Sequence, residues 1–250
     1  MNTYFDLLIR KHQEKIEGPG HGKSNIVRWL NFTTFDLISD LCFGESFDAL
    51  RTEEYNSWIA NILQVSNLRV CDRVMRAYPL IGVPVLSMVA LFPSLQRAKF
   101  KHVQYTKDKF SRRLNTHTDR RDFMSDKSYI LRHNDERGMS RDEIMKTSGT
   151  LTVAGSESTA TLLSGALFHL LKSPQNLEIL VNEIRTTFDS LADMNFVKLA
   201  NLRYINACLQ EAFRIYPPVP GVLPRRVSEG GWIINGYFLP EIVRMHKFMI

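Results

Sequence analysis

The sequence predicts a mainly α chain with one long central helix and a small C-terminal β-hairpin. Three observations predict it. Apolar residues recur at helical spacing in almost every segment. A capping signal at Ser140 opens a stretch that runs without a breaker to Lys172. Near the end, Asn235-Gly236 stands between two apolar runs, which is a strong hairpin signal.

The elements follow in order. A first helix around Tyr4 to Ile16 is closed by the Gly18-Pro19-Gly20 loop. A second, Asn25 to Phe43, carries Trp29, Phe32, Phe35, Ile38 and Leu41 and stops at Gly44. A third covers roughly Glu53 to Met75, and a fourth, around Leu95 to Leu114, carries a basic face. Residues 115 to 128 are polar and read as a surface loop anchored by Phe123 and Met124. Ser140-Arg141-Asp142-Glu143 has the S-x-x-E form of a capping box. The helix it opens is a rod of roughly 45 to 50 Å. A rod of that length crosses a whole domain, so Glu157, halfway along, is expected to be buried or to line a cavity. Ser173-Pro174 caps the next helix, with Leu177, Leu180, Val181, Ile184 and Phe188 on one stripe. A further helix, about Leu202 to Tyr216, ends at Pro217-Pro218.

Composition bounds the function. With 250 residues, 44% apolar and 10% aromatic, the chain buries a sizeable core. Its formal charge of +6 is uneven: nine Lys and Arg fall between Arg97 and Arg121 against only Asp108 and Asp119. That pattern reads as a solvated helix face running into a polar loop. No zinc spacing or RNA-binding aromatic signature accompanies it, which argues against nucleic acid as a partner. Cys42, Cys71 and Cys208 lie far apart in apolar helical stretches and read as reduced, buried thiols. The most apolar window, Tyr78 to Phe92, contains Pro79 and Pro84 and falls short of the ~20 residues a spanning helix needs, so no transmembrane anchor is expected.

Two motifs carry chemistry. Ala154-Gly155-Ser156-Glu157-Ser158-Thr159 sets a glycine, a carboxylate and a hydroxyl inside an apolar helix. It reads either as a small-residue packing patch or as a place where a flat ligand approaches Gly155 while Glu157 and Ser158 handle protons. Glu211 and Arg214, at i and i+3, share a helix face and can pair; Ala207, Cys208, Leu209, Ala212 and Phe213 suggest a buried pair.

Taken in order with Tyr216-Pro217-Pro218-Val219-Pro220 and Leu223-Pro224-Arg225-Arg226, these motifs make the chain resemble a cytochrome P450, the haem-thiolate monooxygenases, and most closely the fungal microsomal branch. Phe32-Thr33-Thr34-Phe35-Asp36, Phe43-Gly44-Glu45-Ser46-Phe47 and the segment from Gly230 to Pro240 resemble that branch as well. The resemblance implies a single incomplete P450-like domain over residues 1–250. It places Ala154 and Gly155 on the haem face, with Glu157 feeding protons and Ser158, where the family usually has threonine, holding bound dioxygen. Glu211 and Arg214 become a buried ion pair bracing the haem pocket. Arg225, or Arg226 beside it, pairs with a haem propionate. Val219, Val222 and Leu223 touch haem or substrate. Haem is the expected cofactor, and no residue of this chain is assigned as a metal ligand. The implied partners are a lipophilic small molecule, as in fungal secondary metabolism, and an NADPH-dependent reductase at the cytosolic face of the endoplasmic reticulum.

The sequence also departs from the family. After Pro240 the family continues to a Phe-x-x-Gly loop whose cysteine binds iron; here ten residues follow, and Cys42, Cys71 and Cys208 lie in other helices. By the same resemblance, the start is expected to lie downstream of the family's membrane anchor. The expectation is a truncated, inactive or mis-specified member, cytoplasmic for want of an anchor. The alternative is a non-catalytic helical remnant with a binding or regulatory role.

Overall fold

The computed structural model describes residues 2–18, 22–56, 58–60, 93–116, 122–123, 139–220, 223–241 and 244–247, with Met75, Tyr78, Leu80, Gly82 and Pro84 besides. Contacts divide the chain into two compact units, residues 1–160 and 161–250, the division falling within one long helix.

In the first unit, α1 (Asn2–Glu17) is followed by α2 (Ile26–Phe43). Asn25 caps α2 by accepting the Arg28 amide, and Gly44 closes it in the left-handed region at φ 70°. Trp29, Phe32 and Phe35 recur every third residue, so they share one face of α2. They form a core with Phe47, Leu50, Trp58 and Ile59. Burying each such aromatic ring contributes about 2 kcal/mol.

The expected third helix begins earlier and is interrupted. α3 is a single turn, Ala49–Thr52, ended by Glu53 at φ 60°; helical residues resume at 58–60, and most of the remaining span lies outside the described residues. The start of α3 has no side-chain cap from its own N-cap residue, and another element takes that part. The buried Asp36 carboxylate of α2 accepts the amides of Phe47, Ala49 and Leu50 at 3.0, 3.1 and 2.8 Å.

α4 (Pro93–Asn115) corrects the picture of a solvated basic face. Lys109 and Arg113 are buried, at 3% and 8% exposure. Lys109 donates to the carbonyls of Glu45 and Ser46, and Arg113 makes a bidentate pair with Asp122. The polar loop is therefore anchored by the buried Asp122 carboxylate. Phe123 contributes its backbone amide, bonded to the Leu41 carbonyl, while its side chain is exposed; Met124 lies outside the described residues.

α5 (Arg141–Leu171) is the predicted rod, opened by the predicted capping box: the Glu143 amide meets Ser140 Oγ, and Glu143 accepts the Ser140 amide at 2.7 Å. Its many hydroxyls satisfy themselves within the helix. Thr150, Thr152, Ser156, Ser158 and Thr159 each donate to the carbonyl four residues back.

In the second unit, α6 (Pro174–Thr187) starts at the predicted proline, although the Ser173 side chain makes no cap hydrogen bond. After a 3₁₀ turn (Leu191–Asp193) and α7 (Phe196–Ala200), α8 (Arg203–Ile215) begins at Leu202, which has no capping side chain. Glu183 of α6 takes that part, accepting the amides of Tyr204 and Ile205 at 2.8 and 3.0 Å. Leu162, Ala166 and Ala212 form the small core of this unit.

The predicted hairpin is present as β2 (Trp232–Ile234) and β3 (Tyr237–Leu239), with Asn235 and Gly236 both at positive φ, as a two-residue turn of this hand requires. A second ladder was not foreseen. β1 (Leu223–Arg226) pairs antiparallel with β4 (Arg244–Lys247), so part of the ten-residue segment after Pro240 forms a strand.

Candidate functional site

The first motif sits on α5. Helical geometry puts Leu151, Ala154 and Ser158 within about 60° of one another around the axis. That stripe is uncovered: Leu151 is 37% exposed, Ala154 is exposed and Ser158 is half-buried. The adjoining side of the helix packs inward through Ser148, Thr152 and Ser156, and Ile144, two turns before Leu151 and nearly in line with it, is buried as well. Ser158 Oγ donates to the Ala154 carbonyl, which fixes the rotamer and leaves the hydroxyl oxygen as an acceptor.

Glu157 lies on the other flank of the stripe and is partly buried, so of the two settings expected for it, burial or a cavity wall, burial is met only in part. Gly155 has a definite neighbour. A Cβ there would fall 3.2 Å from Ile38 Cδ1, so the space a side chain would need is taken by α2.

The second motif forms its ion pair but not its burial. Arg214 Nε and Nη2 donate to the two Glu211 carboxylate oxygens at 2.8 and 2.6 Å, yet both side chains are more than half exposed, at 61% and 56%. The face of α8 that packs inward is the one bearing Ala212, while Phe213 is 53% exposed; apolar neighbours in sequence did not enclose the pair. The pairing holds Glu211 below the usual carboxylate range. Beside it lies a groove of about 240 Å³, lined among others by Ala166, Leu170, Tyr204, Cys208, Ala212 and Ile215.

Of the remaining expected site residues, Val219 is 48% exposed and Arg226 is exposed. Leu223 and Arg225 lie on β1, opposite Lys247 and Met245, and Val222 lies outside the described residues. The thiols differ from one another. Cys42 is sealed in the core and burial pushes it up to about 11, while Cys208 is only half-buried and is also raised, by desolvation first and then by Glu183. Cys71 lies outside the described residues. Among the described residues no cluster of His, Cys, Asp and Glu could hold a metal ion.

A mainly helical chain built around one long rod, with an E-x-x-R helix and a short β-hairpin after it, defines a class of fold, and comparison with known proteins identifies it. A sequence model of the family described as "Cytochrome P450" matches residues 1–243. A cytochrome P450 monooxygenase of Aspergillus oryzae, astJ, is 40% identical over 239 residues, covering 95% of this chain and 46% of that protein. A trichothecene C-15 hydroxylase of Fusarium sporotrichioides is 36% identical over 245 residues, 96% of this chain and 48% of that protein. The crystal structure of the cytochrome P450DA haem domain superposes with a TM-score of 0.67 at 18% identity, covering 98% of this chain and 52% of that one. The chain belongs to the cytochrome P450 family. It spans about half the length of the relatives it matches.

The family implies haem. The uncovered α5 stripe, apolar at Leu151 and Ala154 with a hydroxyl at Ser158, fits one face of a flat apolar group. Of the described thiols, Cys42 is sealed in the core of the first unit and Cys208 lies on α8, so neither stands on the α5 stripe.

Proposed function

We propose that this chain supplies the oxygen-side wall of a cytochrome P450 monooxygenase that hydroxylates or epoxidises a lipophilic small molecule, as in fungal secondary metabolism. The observation that carries the proposal is the uncovered stripe of α5, in which an apolar surface and an oriented hydroxyl stand side by side.

When bound, haem supplies activation of dioxygen, with two electrons delivered by an NADPH-dependent reductase. The residues of this chain do the rest. Ala154 admits the flat group and Leu151 keeps its surroundings apolar, while Gly155, expected on the same face, packs against Ile38 of α2. Ser158 accepts and passes a proton at Oγ. It does so without the methyl that would restrict a threonine rotamer, so its bond to the Ala154 carbonyl is what aims it. Glu157, partly exposed, connects that hydroxyl with solvent. By the family resemblance, Glu211 and Arg214 would brace the haem pocket, Arg225 or Arg226 would pair with a propionate, and Val219, Val222 and Leu223 would line the space beside haem or substrate. Among the described residues no helix is long and apolar enough to cross a membrane. The working location proposed for the enzyme is the cytosolic face of the endoplasmic reticulum.

The test is a chimera in which this chain replaces the matching half of the Fusarium sporotrichioides hydroxylase, with product formed per NADPH oxidised as the readout. The chimera forms product. Ser158→Ala lowers the yield by about tenfold or more, the scale of a lost proton-transfer group, and Ser158→Thr retains it. Equal yields from all three would remove Ser158 from the mechanism.

A further inference from the structure

We propose that Ile38 is a positioning residue for the α5 hydroxyl stripe, acting through the missing side chain of Gly155; this rests on the function proposed above. A Cβ at Gly155 would meet Ile38 Cδ1 at 3.2 Å, Cγ1 at 3.4 Å and Cγ2 at 3.7 Å, and those three atoms of one side chain are its nearest neighbours. The glycine therefore serves a close approach of α2 to α5. Isoleucine suits that task, because a β-branched side chain in a helix has one strongly preferred χ1 rotamer and acts as a stiff spacer.

The rest of α2 is fixed on both sides of Ile38. Two residues earlier, Asp36 is tied to three backbone amides. Four residues later, the fully buried Cys42 shares a core cluster with Ile144 of α5, and Ile38 packs against the same cluster. The two helices thus meet in the cluster of Cys42 and Ile144 and, about three turns along α5, at Ile38 with Gly155. Two such contacts set both the separation and the rotation of α5. Ser158 follows Gly155 by three residues and so lies about 60° round the helix from it. The α2 contact consequently determines where the Ser158 hydroxyl points.

A size-swap cycle tests this: the wild-type chain, Gly155→Ala, Ile38→Val and the double variant, read by the labelling rate of Cys42 and by amide hydrogen exchange at Ala154 to Ser158. Gly155→Ala is expected to speed both about tenfold, a coupling within the range that contacting residues show, although alanine is the better helix former. Removing Cδ1 with Ile38→Val is expected to bring the double variant back to the rate of Ile38→Val alone. If Gly155→Ala slows exchange, as helix propensity by itself dictates, or if the two effects simply multiply, the proposal fails. In the hydroxylase chimera, product per NADPH should fall with Gly155→Ala and recover in the double variant; a yield that never moves would reduce Ile38 to packing. The labelling and exchange readouts need no haem, so a chain that fails to bind haem overturns the proposed function and leaves the Ile38 result standing.

Discussion

Asp36 and Lys109 hold the same loop from opposite sides. The Asp36 carboxylate accepts the amides of Phe47, Ala49 and Leu50, while the Lys109 ammonium donates to the carbonyls of Glu45 and Ser46 at 3.1 and 2.8 Å. Lys109 also lies over the Phe47 ring, 4.5 Å from its centre. The turn between α2 and α3 is therefore fixed through its backbone, by an anion on its donors and a cation on its acceptors.

Removing the anion leaves three amides without their acceptor. Asp36→Ala is expected to destabilise the first unit by about 3 kcal/mol, on the scale of roughly 1 to 3 kcal/mol for each unsatisfied buried group with partial relief by water. Asp36→Asn keeps one acceptor oxygen and should cost less. Urea unfolding followed by tryptophan fluorescence checks this, since Trp29 and Trp58 are both buried in that unit.

Lys109 gives a pH dependence of definite sign. Burial pushes its pKa down from 10.5 to about 8, against the attraction of Glu45, Asp36 and Asp48 and with Arg112 adding to the lowering. The folded state thus releases the proton sooner than the unfolded chain. The stability linked to this group is fully present above pH 10.5 and is lost as pH falls through about 8. The stability of the wild type relative to Lys109→Met should therefore climb between those limits. Asp36 titrates elsewhere: burial raises it, so its contribution is complete below 3.8 and is lost as pH rises through its folded value. Urea midpoints of both proteins at pH 7, 9 and 10 test the slope; a flat difference would show that Lys109 titrates normally.

Glu183 does for α8 what Asp36 does for α3. Glu183→Ala removes the acceptor of two amides at a helix start that has no cap of its own, at a cost of about 1 to 2 kcal/mol. Faster labelling of Cys208, which lies on α8, with Cys42 still protected, is the expected outcome.

The extent to which this was legible in the sequence follows from the range of each interaction. Local signals read correctly: the Ser140–Glu143 box, Gly44, Pro174 and the Asn235-Gly236 turn act within four residues, and the structure shows each of them. Contacts between distant residues left no local mark. Lys109 looked like one of many surface cations, yet it bonds backbone some 63 residues away. Nothing adjacent to Asp36, Glu183 or Asp122 in the sequence marks the groups they bond. Gly155 was singled out correctly as an anomaly, but nothing in its surroundings names Ile38 as the residue it meets. The strand Arg244–Lys247 was missed because its pairing partner, Leu223–Arg226, carries two adjacent arginines and a proline rather than an alternating pattern. Glu211 and Arg214 were read as buried from apolar sequence neighbours, which is unsafe on a helix, where adjacent residues lie about 100° apart.

The central claim is that the Leu151, Ala154 and Ser158 face of α5 forms one wall of a haem pocket. The most direct measurement is haem content, with the reduced, carbon-monoxide-bound absorption band, of the chimera with the Fusarium sporotrichioides hydroxylase, beside the same chimera carrying Ala154→Trp. The account predicts a haem-thiolate band in the first and its loss in the folded second, because an indole at Ala154 would occupy the space of the ring. Equal haem in both, or none in a folded parent chimera, would contradict it.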